Sequence, residues 1–104
     1  MIQHIVAWKL KGEAQGNDKE TNVRIIKEKL EGLVGKIPEL LSAKVVKTVD
    51  ECKEFDLVLI SKFESMEAVA AYQANPLHKE ASDFVSSVRD ARVCIDYDDE
   101  GVKQ

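Results

Sequence analysis

The sequence has few cysteines and no long hydrophobic segment. Only two of its 104 residues are cysteines, Cys52 and Cys94, and they show none of the short spacings of metal or redox motifs. No apolar run approaches the roughly 20 residues that a membrane helix needs. The N-terminal residues lack the basic and apolar segments of a signal peptide. We therefore expect one soluble, cytoplasmic domain with free thiols, no metal site and no membrane association.

The sequence also lacks an excess of positive charge and the common catalytic motifs. Nineteen acidic residues outnumber fifteen basic ones, which gives a net charge of −4, whereas nucleic-acid binding usually requires a basic stripe. There is no glycine-rich phosphate loop, nucleophile elbow or HExxH metal motif. These absences argue against nucleic-acid binding, and we expect no cofactor.

What the sequence does contain is a succession of strand and helix patterns. A stripe of apolar residues at steps of three and four predicts a long helix, capped by Asn17 or Asp18 and ended by Pro38. A second helical region is divided at Asn75 and Pro76, because asparagine caps a helix and proline begins one. Alternation predicts strands over residues 2–10, 41–49, 55–63 and 91–97, with a loop over residues 11–16.

The order of these elements is β-α-β-β-α-β, with the second helix divided. This order predicts a ferredoxin-like α+β fold, in which helices cover one face of an antiparallel sheet. We expect one domain over residues 1–98 and an acidic tail over residues 99–104 that frays.

The predicted strands are apolar on both faces, although the helices can cover only one. On the first strand, Ile5 and Ala7 lie opposite Val6 and Trp8, and the later strands show a similar pattern. If water covered the second face, its residues should be polar. We therefore predict a homodimer in which a second copy covers the open face. The alternative is a monomer with an exposed apolar sheet.

Three polar residues, His4, Tyr72 and His78, are candidates for chemistry. His4 interrupts an apolar strand face beside Val6 and Trp8, so it is either a hydrogen-bonded core residue or part of a pocket. His78 lies in the first turn of a helix, where the dipole favours a neutral ring that can accept a proton. Tyr72 either directs its hydroxyl toward the same cavity or only fills the core.

Several segments, in their order and spacing, resemble the stress-responsive A/B barrel family. The resemblance spans almost the whole chain and implies a dimeric α/β barrel, in which two ferredoxin-like subunits join sheet to sheet. The segments that carry it are Met1–Val6, Phe55–Leu57, Phe63–Ser65, Tyr72 with Asn75–His78, and Ile95–Tyr97.

The resemblance also implies a function. Most members have no established activity, which favours a stress-responsive barrel protein that binds a small apolar or aromatic ligand. One member, olivetolic acid cyclase, closes a ring by aldol condensation with a histidine base and a tyrosine, roles that fall here on His78 and Tyr72. The alternatives are therefore a cofactor-free cyclase or lyase and, third, a cofactor-free monooxygenase. The residues expected to line the ligand pocket are His4, Val6, Trp8, Leu30 and Leu59.

Overall fold

A computed structural model describes residues 1–101 of the chain. Its strands are β1 (Ile2–Leu10), β2 (Glu13–Ala14), β3 (Asn17–Asp18), β4 (Ser42–Lys47), β5 (Leu57–Phe63) and β6 (Arg89–Asp98). Its helices are α1 (Lys19–Glu31), α2 (Met66–Ala74) and α3 (Pro76–Val88). Strands β4, β5, β1 and β6 form, in that order, an antiparallel sheet, and β2 and β3 form a hairpin. The predicted ferredoxin-like α+β fold is confirmed.

The core lies between the helices and one face of the sheet. Every second side chain is buried from His4 to Leu10 on β1 and from Leu57 to Phe63 on β5. Ile26 of α1 belongs to the same buried cluster and has no exposed surface. Full burial of one such apolar side chain stabilises the fold by about 1.5–3 kcal/mol, so these two strands anchor the domain.

Helix α1 is shorter than the apolar stripe predicted. Asp18 is its cap, because the side chain accepts the backbone N–H of Thr21 at 2.8 Å. The helix ends at Glu31, and the chain continues in turns in which Leu33 and Ile37 are nevertheless buried. The apolar periodicity outlasts the helix because the same core covers these turns.

The predicted loop over residues 11–16 contains β2 and the turn of the β2–β3 hairpin, and β3 follows it directly. Gln15 and Gly16 occupy its turn with φ of 55° and 75°, the left-handed conformation that a two-residue hairpin turn requires. Asn22, a fully buried polar residue of α1, holds the hairpin in place. Its Nδ2 donates to the carbonyl of Ala14 at 3.1 Å, and its Oδ1 accepts from Asn17 Nδ2 at 3.1 Å.

The predicted strand over residues 41–49 is shortened at both ends. Leu41 and Val49, which alternation groups with Val45 on one strand face, lie outside β4 and are exposed. On that face of β4, Val45 is buried and Ala43 is half-buried. An edge strand has a partner on one side only, so its ends leave the sheet before the apolar pattern stops.

In α2, helical spacing predicts an inward stripe of Met66, Val69, Ala70 and Gln73 with Tyr72 at its edge, and the structure buries only part of this stripe. Val69 and Tyr72 are buried, whereas Met66, predicted to point inward, is 48% exposed. Leu77 of α3, which the helical spacing also predicts to point inward, is 42% exposed. Tyr72 is therefore a core residue rather than the stripe-edge residue that the pattern indicated, since a nine-residue helix buries only a narrow face.

The end of β6 extends further than predicted. Asp98 still pairs with Ile2, and the backbone N–H of Asp99 donates to the carbonyl of Met1 at 2.9 Å. Pairing with β1 thus holds the first part of the segment expected to fray. The remainder of the predicted tail, residues 102–104, lies outside the described residues.

The sheet face away from the core is apolar. Of its residues, Ile60 and Val93 are 41% and 40% exposed, and Ile95 and Tyr97 are 55% and 50% exposed. They lie side by side across β5, β1 and β6, because Ile5 of β1 pairs with both Ile60 and Ile95. A monomer therefore exposes a contiguous apolar surface.

Within residues 1–101, none of the helices is long and apolar enough to cross a membrane.

Side chains of α1 cover the backbone of the edge strand β4. Glu31 Oε2 accepts the N–H of Val45 at 2.8 Å, and Lys27 Nζ donates to the carbonyl of the same residue at 3.1 Å. Lys27 and Glu31 also form an ion pair at 2.7 Å. This arrangement occupies backbone groups that an edge strand would otherwise present to another chain.

We predict that Glu31→Gln lowers the free energy of unfolding by about 1 kcal/mol, because it removes a charge-assisted contact to β4. Burial alone would raise the pKa of Glu31, but hydrogen bonds from Lys27 and Val45 hold it below its ordinary value of 4.5. The contribution is therefore complete above pH 4.5 and is lost as the pH falls through the lowered pKa. Urea unfolding at pH 7 measures the difference. Glu28→Gln, an exposed change on the same helix, is the control and should have no effect.

Candidate functional site

A cavity of about 270 Å³ opens between the core face of the sheet and α3. All seven residues that the sequence singled out line it, although their roles remain predictions. The predicted members are His4, Val6, Trp8, Leu30, Leu59, Tyr72 and His78. The residues that sequence reasoning missed are Gln73, Ser82, Val85, Ser86, Arg89 and Arg92.

The floor of the cavity is built by strand alternation. His4, Val6 and Trp8 project from the same side of β1 because side chains two residues apart share a face. Leu59 joins them because β5 pairs it directly with Val6. Leu30 adds an apolar side chain from the last turn of α1. One wall of the site is therefore apolar.

Helix α3 supplies a polar wall. His78, Ser82 and Ser86 recur at steps of four, and Arg89 follows directly after the helix. Residues at this spacing share one helix face. Ser82 and Ser86 alone carry no chemical signature. Their position in a polar stripe next to the apolar stripe of α3 was the sequence signal that could have identified this wall.

Tyr72 and His78 lie together because the chain turns sharply between α2 and α3. Asn75 leaves helical geometry with φ −67° and ψ 131°, and its side chain caps α3 by accepting the N–H of Leu77 at 2.9 Å. The rings of Tyr72 and His78 consequently approach to 4.3 Å between centroids. Burial raises the pKa of Tyr72 to about 12, so its hydroxyl stays protonated at neutral pH.

His78 is held in its neutral form. Burial is the main cause that lowers its pKa below 6.5, and the nearby His4 and Arg92 act in the same direction. The backbone carbonyl of Gln73 opposes them without reversing the shift. Within the part of the chain that the structure describes, His78 Nδ1 is buried and has no hydrogen-bond partner. A neutral imidazole can accept a proton at pH 7.

His4 is paired with a carboxylate, Asp96, that was not among the predicted site residues. Antiparallel pairing of β1 with β6 places Asp96 opposite His4, and His4 Nδ1 lies 2.5 Å from Asp96 Oδ1. An ionised carboxylate only accepts hydrogen bonds, so Nδ1 of His4 is the donor in this contact. His4 is therefore both hydrogen-bonded and part of the cavity wall, which combines the two alternatives.

The same register brings a thiol to this pair. Cys94 Sγ lies 3.6 Å from His4 Nδ1 and 3.9 Å from Asp96 Oδ2, and the three candidate ligand atoms lie within 4.8 Å of one another. Imidazole, thiolate and carboxylate are the ligand types of zinc sites. Linear spacing gave no sign of this cluster. Burial and the neighbouring Asp96 raise the pKa of Cys94, which favours the thiol over the thiolate. Both cysteines are free.

Comparison with known proteins agrees with this architecture. The family model of the stress responsive A/B barrel domain matches residues 2–99. No curated protein matches the sequence.

Solved structures share the fold over nearly the whole chain. A dimeric Bacteroides fragilis protein of unknown function and ferredoxin-like fold is 26% identical, with a TM-score of 0.82 over 92% of this chain and 93% of that one. An Arabidopsis thaliana protein is 26% identical, with a TM-score of 0.79 over the full length of both chains. A hydroxynitrile lyase from Passiflora edulis is 18% identical, with a TM-score of 0.77 over 92% and 90%, and shows the fold alone.

The β-α-β-β-α-β order, the antiparallel sheet with one apolar face left open, and the match over residues 2–99 agree with one another. This chain belongs to the stress-responsive A/B barrel family.

Proposed function

We propose that the cavity between the sheet and α3 binds a small apolar or aromatic molecule. The observation that carries this proposal is an open cavity with one apolar wall and a few polar groups converging on it, the usual composition of a ligand site. If Trp8, Leu30 and Phe84 filled this space, the protein would have no room for a ligand. They leave it open. Its 270 Å³ lies just below the roughly 300 Å³ at which drug-sized pockets begin, so a single substituted ring fits.

Binding can be followed through Trp8, the only tryptophan of the chain. Trp8 lines the cavity and is 5% exposed, so we predict that phenylacetone changes its fluorescence in a saturable manner. Ser82→Leu places a larger side chain in the cavity wall and should weaken binding about tenfold or more. Ala71→Leu adds the same side chain on the exposed side of α2 and should bind as the wild type does. Equal binding by Ser82→Leu and the wild type would locate the ligand elsewhere.

We further propose that the open face of the sheet forms a homodimer. The similar Bacteroides protein is dimeric, and four exposed apolar residues here form one contiguous patch. Monomers rarely expose patches of this kind. A two-fold axis lets one patch cover its own copy, which gives a closed assembly.

Light scattering at micromolar concentration should therefore report about twice the chain mass of 11.6 kDa. Ile95→Lys introduces a charge at the centre of the patch and should convert the protein to a monomer, because an unpaired buried charge is costly. Val49→Lys changes a residue that is 69% exposed outside the sheet and serves as the control. A monomeric wild type, or a dimer that survives Ile95→Lys, would rule out this interface.

A second candidate function is a cofactor-free cyclase or lyase. The observation that favours it is the contact between Tyr72 and His78, both of which line the open cavity. In this scheme the neutral His78 removes a proton next to a substrate carbonyl, and the protonated Tyr72 hydroxyl donates a hydrogen bond to the developing oxyanion. His4, with Nδ1 held by Asp96, assists proton transfer from the opposite side.

Proton abstraction can be measured without knowing the natural substrate. We predict that the protein catalyses exchange of the α-protons of phenylacetone in D₂O, observed by NMR. His78→Ala should slow this exchange by about 10²-fold or more, the usual effect of removing a general base. Because the pKa of His78 lies below 6.5, the rate should be constant above pH 6.5 and fall only in more acidic solution.

The phenylacetone affinity of His78→Ala, measured through Trp8, separates loss of the base from loss of the pocket. Retained binding with lost exchange supports the assignment. Full exchange in His78→Ala, or an acid limb with its midpoint above pH 6.5, would show that another group is the base.

A further inference from the structure

The cavity is strongly asymmetric in charge. Thirteen described residues line it, of which Arg89 and Arg92 are cationic and none is acidic. The whole chain is acidic, with nineteen carboxylates against fifteen basic residues. The chain has three arginines, and two of them, Arg89 and Arg92, line this one cavity of a negatively charged protein.

Neither cavity arginine forms a salt bridge within residues 1–101. In the described part of the chain, every salt bridge involves a lysine, a histidine or the N-terminal amine, and none involves Arg89 or Arg92. Arg92 lies close enough to the Cys94 thiol and to His78 to influence their pKa values, but neither group is an anion at neutral pH. Asp96, two residues beyond Cys94 on β6, is paired with His4 and does not line the cavity.

The fold places both guanidinium groups at the polar end of the site. Arg89 is the residue that ends α3 and begins β6, next to the stripe of Ser82 and Ser86. Arg92 lies opposite Trp8 in the β1–β6 register, on the face that β1 turns toward the cavity. Guanidinium groups bind carboxylates through paired hydrogen bonds, and the serine hydroxyls and the Gln73 amide add neutral donors beside them.

We infer that the ligand of this cavity carries a carboxylate, which Arg92 and Arg89 bind at the polar end while its apolar or aromatic body lies against Val6 and Leu59. This inference rests on the proposed small-molecule site and names the class of ligand that it takes. Arg92 is exposed and Arg89 is half-buried, so water screens them and each contributes moderately to affinity.

A matched pair of probes tests the carboxylate directly. The fluorescence of Trp8 is titrated with 3-phenylpropanoate and with 3-phenylpropanamide, which share their size and ring but differ in charge. We expect the carboxylate to bind about tenfold more tightly at low ionic strength, with the difference shrinking as salt is added. Arg92→Gln and Arg89→Gln should each remove a substantial part of this difference while leaving amide binding unchanged.

Arg24→Gln is the matched control, since it removes the same charge from the exposed side of α1 and should retain the full preference. Equal binding of the two probes by the wild type would overturn the carboxylate assignment and leave the small-molecule site intact. A preference that survives both cavity variants, or that Arg24→Gln also abolishes, would overturn the assignment to Arg89 and Arg92. Failure of both probes to bind the wild type would overturn the small-molecule site together with this inference.

Discussion

The antiparallel register between β1 and β6 is the constraint on which the candidate site depends. It sets Asp96 beside His4, Cys94 beside Val6 and Arg92 beside Trp8. Side chains alternate between the faces of a strand, so a slip of one residue would turn these β6 side chains to the open face and bring Val93 and Ile95 to the cavity. The apolar residues on the open face of β6 and the polar residues on its cavity face therefore follow from one pairing.

This pairing also explains why the core is incomplete at one edge. On β1 and β5 the core face is mainly apolar and closed, whereas the same face of β6 carries Arg92, Cys94 and Asp96. Apolar side chains pack densely, but charged ones cost too much to bury without partners. The cavity lies at this boundary, where the polar stripe of α3 faces the polar face of β6. A site at the edge of a core obtains an apolar wall and a polar wall without unpaired buried charge.

The fold was predictable because apolar residues recur with the period of a strand or a helix. Much of the site, in contrast, depends on which residues of neighbouring strands pair. Alternation located the strands, and the asparagine–proline pair located the division between α2 and α3. The pattern failed where tertiary packing overrides it, as at Leu33, which is buried in a turn rather than a helix. Asp96 and Arg92 could not be assigned to the site, because their positions become meaningful only when the register with β1 is known. The spacing put Tyr72 only at the edge of the inward stripe, because a nine-residue helix gives too few turns to define its buried face.

The two histidines of the cavity are chemically unequal, and their surroundings explain why. His78 is buried beside an aromatic ring, without an acidic partner among residues 1–101, so the structure disfavours its cation. His4 donates Nδ1–H to Asp96, so a negative charge is already in place beside any cation that forms on its ring. If a proton is transferred in this cavity, His78 is therefore suited to remove it.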